Sequence, residues 1–287
     1  MITLGIETSC DETAVAVVED TFRIRSNLVA RQEHLHERFG GVVPEVAARA
    51  HVETLNPLME CALAEAGVRF RDLDGVAVTV GPGLVGALLV GIAAAKAVSL
   101  ATATPLIGVN HLEGHIWANF LVHRDLEPPY VALVVSGGHT MLVHVPELHR
   151  HELLGQTLDD AAGEAFDKVA RLLGLGFPGG PALDALASKG DPAAIRFPRA
   201  MEDSGDLDFS MSGLKTAVLR YLRGEQAANR DVNAADVAAS FQEAIVDVQV
   251  SKTIQAANET GVRTVLLGGG VVANTRLRDR IAEAGEA

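Results

Sequence analysis

The chain is poor in cysteine and in aromatic side chains. Its 287 residues include two cysteines and one tryptophan, and aromatic residues make up 4% of the total. Cys10 and Cys61 are too few for a disulfide framework, which is compatible with a reducing compartment. The first residues also lack a basic segment followed by an apolar core. We therefore expect no signal peptide and a cytoplasmic location.

A long apolar run without charge is also missing. Residues 83–109 are strongly apolar, but Lys96 interrupts the stretch and small residues dilute it. We predict a buried helix followed by a buried strand here, and no membrane span. Across the whole chain 48% of the residues are hydrophobic and 21% are charged. This composition predicts a substantial hydrophobic core in one large domain or in each of two lobes.

Positive charge is in deficit. With 24 Lys and Arg against 37 Asp and Glu, the formal net charge is −13, which opposes nonspecific attraction to phosphate backbones. A nucleic-acid substrate would therefore need a partner or a local basic patch. The best local candidates are Arg196, Arg199, Lys215, Arg220 and Arg223.

Neither the Rossmann glycine motif nor a P-loop occurs in the sequence. Instead, a strand, a small polar turn and a return strand occur at residues 2–18 and again at 130–145. The repetition predicts an α/β protein of two related lobes, each headed by a β-hairpin, with a ligand cleft between the hairpin tips. Paired prolines at 128–129 favour a boundary there, which gives lobes 1–127 and 128–287.

Hydrophobic periodicity and turn residues predict the other elements. Strands are expected at 74–80, 105–110 and 263–267, with helices at 45–66, 84–101, 159–173, 182–189, 234–258 and from about 274. We predict a loop at 174–181 and irregular structure at 191–213. The helix at 234–258 is expected to be amphipathic.

Two histidines four positions apart form the most informative motif, His111-Leu-Glu-Gly-His115. On a helix they lie one turn apart and can bind one metal ion. The pair follows a strand, which is where α/β proteins place their sites. A zinc peptidase is one alternative, but its general base normally follows the first histidine, where Leu112 stands. Glu113 lies roughly 200° around the helix from His111 and points away from the metal.

Glycine-rich turns and isolated carboxylates provide further candidates. Ser136-Gly-Gly-His-Thr140 can form an anion-binding concavity, although an ordinary hairpin turn would look similar. Gly268-Gly-Gly270 lies between a strand and a helix, which suits a phosphate or a flat adenine ring, and Asn274 beyond it can cap the helix or contact the ligand. Four carboxylates lie beside predicted turns: Asp11, Glu12, Asp167 and Asp184. Each of them considered alone is expected to be an ordinary surface side chain. Asp167 and Lys168 are a candidate local charge pair.

Seven ordered stretches carry a resemblance to a known family. They are Gly5-Ile-Glu-Thr-Ser-Cys-Asp-Glu-Thr13, Gly40-Gly-Val-Val-Pro-Glu45, His111-Leu-Glu-Gly-His115, Val135-Ser-Gly-Gly-His-Thr140, Asp160-Ala-Ala-Gly-Glu-Ala-Phe-Asp-Lys168, Ser212-Gly-Leu-Lys-Thr216 and Gly268-Gly-Gly-Val-Val-Ala-Asn274. The chain resembles the TsaD family of threonylcarbamoyl transferases of tRNA modification. The resemblance implies the two-lobed fold shared with actin, Hsp70 and sugar kinases, called ASKHA.

The resemblance also implies a reaction, the transfer of threonylcarbamoyl from its adenylate to the N6 amine of the adenosine beside the anticodon, position 37. It implies that His111 and His115 bind Fe²⁺ or Zn²⁺. For this reaction we expect Asp11 or Glu12 to orient the amine or a phosphate in catalysis. The residues that it places against threonylcarbamoyl-AMP are Val135, Ser136, Gly137, Gly138, His139, Asp167, Gly180, Asp184 and Asn274.

Partners follow from the same resemblance: tRNA, a paralogous subunit of the same fold and a small ATPase, with no membrane. Family members usually supply a further metal-ligating aspartate in an Asp-Asn-Gly/Ala motif, which the sequence ending at 281–287 lacks. We therefore expect a C-terminal lobe truncated at its end. An ASKHA-type ATPase or kinase and an inactive scaffold subunit remain alternatives beside the metallopeptidase.

Overall fold

The computed structural model describes residues 1–20 and 22–286. The chain divides into two compact units, Met1–Leu121 and Val122–Ala287, called here the N-terminal and C-terminal units. Each unit combines one mixed sheet with helices, so the predicted α/β class is confirmed.

The N-terminal unit is built on a five-stranded sheet with the order β3-β2-β1-β4-β5. Its strands are β1 (Ile2–Glu7), β2 (Glu12–Glu19), β3 (Arg23–Arg31), β4 (Gly75–Gly81) and β5 (Leu106–Asn110). Its helices are α1 (Glu33–His36), α2 (Pro44–Ala66), α3 (Val85–Thr102) and α4 (His111–Trp117). The strands β1, β4 and β5 run parallel, so their carboxyl ends meet at one edge of the sheet.

The C-terminal unit is built on a four-stranded sheet with the order β8-β7-β6-β9. Its strands are β6 (Tyr130–Val135), β7 (Thr140–Glu147), β8 (Arg150–Gln156) and β9 (Val265–Gly268). Its helices are α5 (Ala162–Leu172), α6 (Gly179–Ala187), α7 (Ser212–Ala227), α8 (Ala234–Thr260) and α9 (Thr275–Glu286).

The two units repeat one plan. In each, two antiparallel hairpins give three consecutive strands, and a fourth strand pairs parallel with the first of them, β4 with β1 and β9 with β6. Alternating burial along β2 places Thr13, Val15 and Val17 inside, as the two-residue period of a strand requires. The predicted hairpin-headed duplication is confirmed, while the third strands β3 and β8 were not predicted.

Burial corrects two of the predictions. The helix α8 is buried on most of its surface, including Gln249 and Lys252, because β6, α6, α7 and α9 all pack on it. It is therefore a central helix, and the prediction of an amphipathic helix is wrong. The strand β5 is mostly exposed because it lies at the sheet edge, so the predicted buried strand is wrong as well.

The helix α3 occupies the apolar run that the sequence predicts as helical. It contacts α2 and β4, but only part of its surface is buried, and Leu89 and Leu100 are exposed. By length and composition it is the single helix among the described residues that is long and apolar enough to cross a membrane. At Gly91 an added Cβ would collide with the Thr8 side chain, so this glycine lets α3 lie close to β1.

Several boundaries in the C-terminal unit differ from those expected. The helix predicted from Asp159 begins at Ala162, and α6 begins at Gly179, inside the predicted loop. The helix α7 was not predicted. Asp159 does cap a helix, but the helix is α7, because its Oδ1 accepts the main-chain N–H groups of Met211 and Ser212 at 2.7 and 3.2 Å.

Replacement of Asp159 by asparagine is expected to lower the free energy of unfolding by about 1 kcal/mol at pH 7. Burial alone would raise the Asp159 pKa, but hydrogen bonds from Ser210, Met211 and Ser212 outweigh it and lower the pKa. The figure allows for solvent screening of an exposed carboxylate. Because the folded pKa lies below the unfolded value, the contribution is complete above about pH 4 and disappears as the pH falls through the folded pKa. Chemical denaturation of both proteins from pH 7 to pH 3 measures this, and a pH-independent difference would contradict it.

Candidate active site

Two histidines lie at the start of α4, directly after β5. The Asn110 side chain caps this helix by accepting the Leu112 N–H at 2.9 Å. The helix places His111 and His115 one turn apart, with their ring centroids 4.6 Å from each other. The predicted histidine pair on a helix after a strand is confirmed.

The carboxylate of Glu7, at the end of β1, faces His111 and was not among the predicted site residues. Its Oε2 lies 3.2 Å from His111 Nδ1 and accepts the Thr79 hydroxyl at 2.5 Å, while the Ser9 N–H donates to Oε1. Burial alone would raise the Glu7 pKa, but the hydrogen bonds from His111, Ser9 and Thr79 lower it to about 2. Glu7 is therefore an anion at neutral pH. A carboxylate beside Nδ1 favours the His111 tautomer that carries its proton on Nδ1 and leaves the lone pair on Nε2.

The donor set fits a divalent metal ion in part. Neutral imidazole is a preferred ligand of zinc and iron, and a carboxylate on the other ring nitrogen is its usual support. Within residues 1–20 and 22–286, no group of three or more His, Cys, Asp or Glu side chains is placed to hold a metal. This part of the chain thus offers two imidazole ligands, and oxygen ligands from elsewhere would have to complete the coordination.

The predicted catalytic carboxylates, Asp11 and Glu12, lie in the turn from β1 to β2 and at the start of β2. Glu12 forms an ion pair with Arg31 of β3, with Oε1 and Nε 3.3 Å apart. Partial burial raises the Glu12 pKa, and Arg31 offsets part of this effect. The main-chain oxygen of Asp11 accepts the Gln32 N–H at 3.1 Å. The catalytic role of both residues stays a prediction.

A buried histidine of α2 supports the same turn, and sequence reasoning missed it. His51 donates from Nε2 to the main-chain oxygen of Cys10 at 2.9 Å and accepts the Thr13 hydroxyl at Nδ1 at 2.8 Å. Gln32 lies between His51 and a second buried histidine, His36, within 3.4 and 3.3 Å. Burial lowers the pKa of His51, which keeps the ring neutral. The turn at the head of β2 therefore rests on a chain of uncharged hydrogen bonds.

The C-terminal unit contains a pocket of about 380 Å³. Five of the predicted adenylate-binding residues line it: Gly137, Asp167, Gly180, Asp184 and Asn274. They come from the β6–β7 turn, from α5 and α6, and from the residue before α9. Their side chains and backbone meet around one cavity because β6 and β9 are neighbouring strands whose carboxyl ends lie together.

Bare backbone forms much of the pocket wall. A Cβ added at Gly137, Gly180 or Gly270 would meet no atom within 4 Å, although all three residues line the pocket. Gly269 serves a different purpose, since it has a φ of +97° and a Cβ there would collide with the main-chain oxygen of Val135. These glycines leave room beside the pocket for a flat ring or a phosphate.

Asn274 and Asp184 form one hydrogen-bonded group at the start of α9. The Asn274 amide donates to Asp184 Oδ1 at 3.1 Å and to Gln242 Oε1 at 2.7 Å, and its Oδ1 accepts the Leu277 N–H at 2.9 Å. Asn274 therefore caps α9, as the sequence predicts, and also orients Asp184. The buried Gln242 was missed, because nothing in its sequence context on α8 distinguishes it from other core positions.

The remaining predicted contacts lie around the β6–β7 turn. Val135 is fully buried in β6, and Gly138 is exposed. Ser136 Oγ accepts the His139 N–H at 3.1 Å, and this hydrogen bond holds the turn closed. None of these four lines the pocket. The suggested pair of Asp167 and Lys168 is wrong. Lys168 contacts Asp160 and Glu164 instead, while Asp167 Oδ1 accepts the Gly179 N–H at 2.8 Å.

Comparison with solved structures shows the fold. T. kodakarensis HypF aligns over 99% of this chain and 44% of its own, with a TM-score of 0.67 at 15% identity. Component A of the (R)-2-hydroxyglutaryl-CoA dehydratase of Acidaminococcus fermentans aligns over 99% of this chain and 88% of its own, with a TM-score of 0.59 at 16% identity. The predicted ASKHA fold is thereby confirmed.

Comparison with sequences shows the family. Residues 23–287 match the family described as TsaD: tRNA N6-adenosine threonylcarbamoyltransferase. The proteins of that name from Moorella thermoacetica and Clostridium perfringens are 56% and 53% identical to this chain, over 99% of its length and 83% and 84% of theirs. The histidine pair, the glycine-walled pocket and these matches agree: the chain belongs to the TsaD family of tRNA N6-adenosine threonylcarbamoyltransferases.

Proposed function

We propose that the pocket of the C-terminal unit holds the adenylate part of threonylcarbamoyl-AMP. The observation that carries the proposal is the convergence of Gly137, Asp167, Gly180, Asp184 and Asn274 on one cavity. Bare glycine backbone suits the flat adenine ring and the phosphate, and the Asp167 and Asp184 carboxylates can accept ribose hydroxyl groups. Asn274 acts in this proposal chiefly by orienting Asp184.

The family reaction moves an acyl group from a leaving group, AMP, to a nucleophile, the N6 amine of adenosine. A bond forms between the N6 nitrogen of adenosine and the carbamoyl carbon, and the bond from that carbon to the AMP phosphate oxygen breaks. AMP leaves with the electron pair, and the amine loses one proton. We assign orientation of the amine or of a phosphate to Asp11 or Glu12, whose turn rests on His51.

A metal ion completes the proposal. We assign His111 and His115 as ligands of Fe²⁺ or Zn²⁺, with Glu7 holding the His111 ring in the ligating tautomer. When bound, such a cation supplies Lewis-acid polarisation of a carbonyl oxygen. His111 and His115 hold it, and Glu7 keeps the ring orientation fixed.

Partners are part of the same proposal. A chain with a net charge of −13 holds tRNA poorly by its overall field, which supports help from a paralogous subunit of the same fold and a small ATPase. The exposed apolar side chains of α3 favour a protein contact of this kind. We propose a cytoplasmic location because the substrate tRNA is there.

The test is a transfer assay with all partners supplied. The chain is incubated with unmodified tRNA and threonylcarbamoyl-AMP, and the nucleosides are analysed by mass spectrometry. Formation of threonylcarbamoyladenosine is expected, in parallel with a version extended by the C-terminal segment of the Moorella relative. Bound iron and zinc are measured in both proteins. ATP turnover without tRNA, or peptide hydrolysis lost in His111→Ala, together with no transfer by either version, would contradict the assignment.

A further inference from the structure

We propose that Arg196, Arg220 and Arg223 form a surface that binds the phosphate backbone of tRNA, called here the arginine surface. The proposal rests on the transferase function, and it assigns a part of the chain that the adenylate pocket and the histidine pair do not use. Its occupant is RNA, the substrate class of the family.

The helix α7 carries the first part of this surface. Arg220 and Arg223 are three positions apart in α7, so they lie on one face, and both side chains are exposed. Neither has a hydrogen-bonding or ion-pair partner among the described residues. The one carboxylate of α7, Glu225, is held by Arg230 through two hydrogen bonds of 2.6 and 2.7 Å. The exposed face of α7 is therefore cationic and is not neutralised by its own acid.

Arg196 adds a third charge in a segment that packs on the same helix. It precedes Phe197, whose ring packs edge-on against Tyr221 of α7 with the ring centroids 5.9 Å apart. Arg196 is exposed and has no partner within residues 1–20 and 22–286. The aromatic contact thus anchors the segment of Arg196 to the same helix that carries Arg220 and Arg223.

The structure separates these three residues from the other two cations of the predicted patch. Arg199 is bound by Asp247 through hydrogen bonds of 3.0 and 2.8 Å, and Lys215 lies 3.6 Å from Asp160. Their charges are already compensated, so the prediction of a five-residue patch is reduced to three. Three guanidinium groups without an acidic partner among the described residues are thus carried by α7 and the segment anchored to it, in a chain with a net charge of −13.

Guanidinium groups suit phosphate because each offers several N–H donors in a planar fork. Exposed arginines without acidic partners release counterions from a polyanion on contact, which makes binding steeply dependent on salt. Cations in the last turns of a helix also interact with its dipole, so every variant needs a stability measurement beside the binding measurement.

The experiment measures binding of fluorescently labelled, unmodified tRNA to the full chain, alone and with the proposed partner subunits, between 50 and 250 mM KCl. The triple variant Arg196→Gln, Arg220→Gln, Arg223→Gln is compared with Arg71→Gln, Arg171→Gln, Arg263→Gln. The control set removes the same charge from exposed arginines outside the arginine surface. A third protein carries Arg196→Lys, Arg220→Lys and Arg223→Lys. Binding of AMP and the thermal unfolding midpoint are measured for each.

We expect the glutamine variant of the arginine surface to bind tRNA at least about tenfold more weakly, with a salt slope shallower by about 2. The control set should lose much less, the lysine variant should keep most of the affinity, and AMP binding should not change. Equal losses in both glutamine sets would overturn the proposal, as would absence of tRNA binding by the wild-type chain when the proposed partner subunits are present. Failure of the transferase function itself is distinct, because it would appear as tRNA and AMP binding without acyl transfer in the complete assay.

Discussion

A Gly180→Leu variant is expected to bind AMP at least about tenfold more weakly than the wild type while folding at least as stably. Gly180 lines the adenylate pocket, and a Cβ there meets no atom within 4 Å, so the leucine side chain enters the cavity. Tenfold corresponds to about 1.4 kcal/mol of binding free energy. The same substitution removes a glycine from a helix, which favours the folded state by about 0.5–1 kcal/mol. Calorimetric titration with AMP and chemical denaturation measure the two effects.

Gly213→Leu is the matched control for this prediction. Gly213 is the second residue of α7, as Gly180 is the second residue of α6, and a Cβ at Gly213 also meets nothing within 4 Å. Gly213 does not line the pocket. We expect a similar gain in stability and unchanged AMP binding. Equal loss of AMP binding in both variants, or in neither, would show that the ligand does not occupy this pocket.

His111→Ala is expected to abolish stoichiometric metal binding, and Glu7→Gln to weaken it about 10- to 100-fold. The alanine removes a ligand, whereas the glutamine keeps the shape of Glu7 but removes the anion that holds the proton on His111 Nδ1. Metal content after reconstitution with Fe²⁺ or Zn²⁺, followed by competition with a chelator, gives both values.

The control for the metal prediction is His34→Ala, because His34 is an exposed histidine of α1 in the same unit. It should bind metal like the wild type. Unchanged metal affinity in His111→Ala would remove the metal from the proposed site, and unchanged affinity in Glu7→Gln would limit Glu7 to a packing role. Thermal unfolding of each apoprotein shows whether folding is affected.

Local patterns were enough to predict the two hairpins and the repeated plan of the units. Each hairpin joins strands that are adjacent in sequence, so alternation and a small polar turn contain the needed information. Asp159 shows where local reasoning fails. It looks like the cap of the helix that follows it, but its carboxylate caps α7, more than 50 residues later. A short stretch of sequence around Asp159 does not contain Met211, so local patterns cannot reveal this hydrogen bond.

In the candidate site, too, contacts between residues close in sequence were predicted and a contact between distant residues was not. The histidine pair lies within one helix turn and was found, whereas Glu7 is 104 positions from His111 and was missed. One signal was available. Glu7 ends β1 and Asn110 ends β5, and carboxyl ends of parallel strands meet at one edge of a sheet. Using it requires the strand order, which the sequence does not state.

The hydrogen bonds of Asn274 bear on the thermodynamics of ligand capture. Both amide protons and the carbonyl oxygen are engaged, by Asp184, Gln242 and the Leu277 N–H, before any ligand arrives. Asp184 is thereby held by the buried Asn274, which Gln242 of α8 fixes in turn. The entropy of ordering this carboxylate is lost when the chain folds, and an incoming ligand does not lose it again. This part of the pocket is therefore already ordered in the folded chain before a ligand binds.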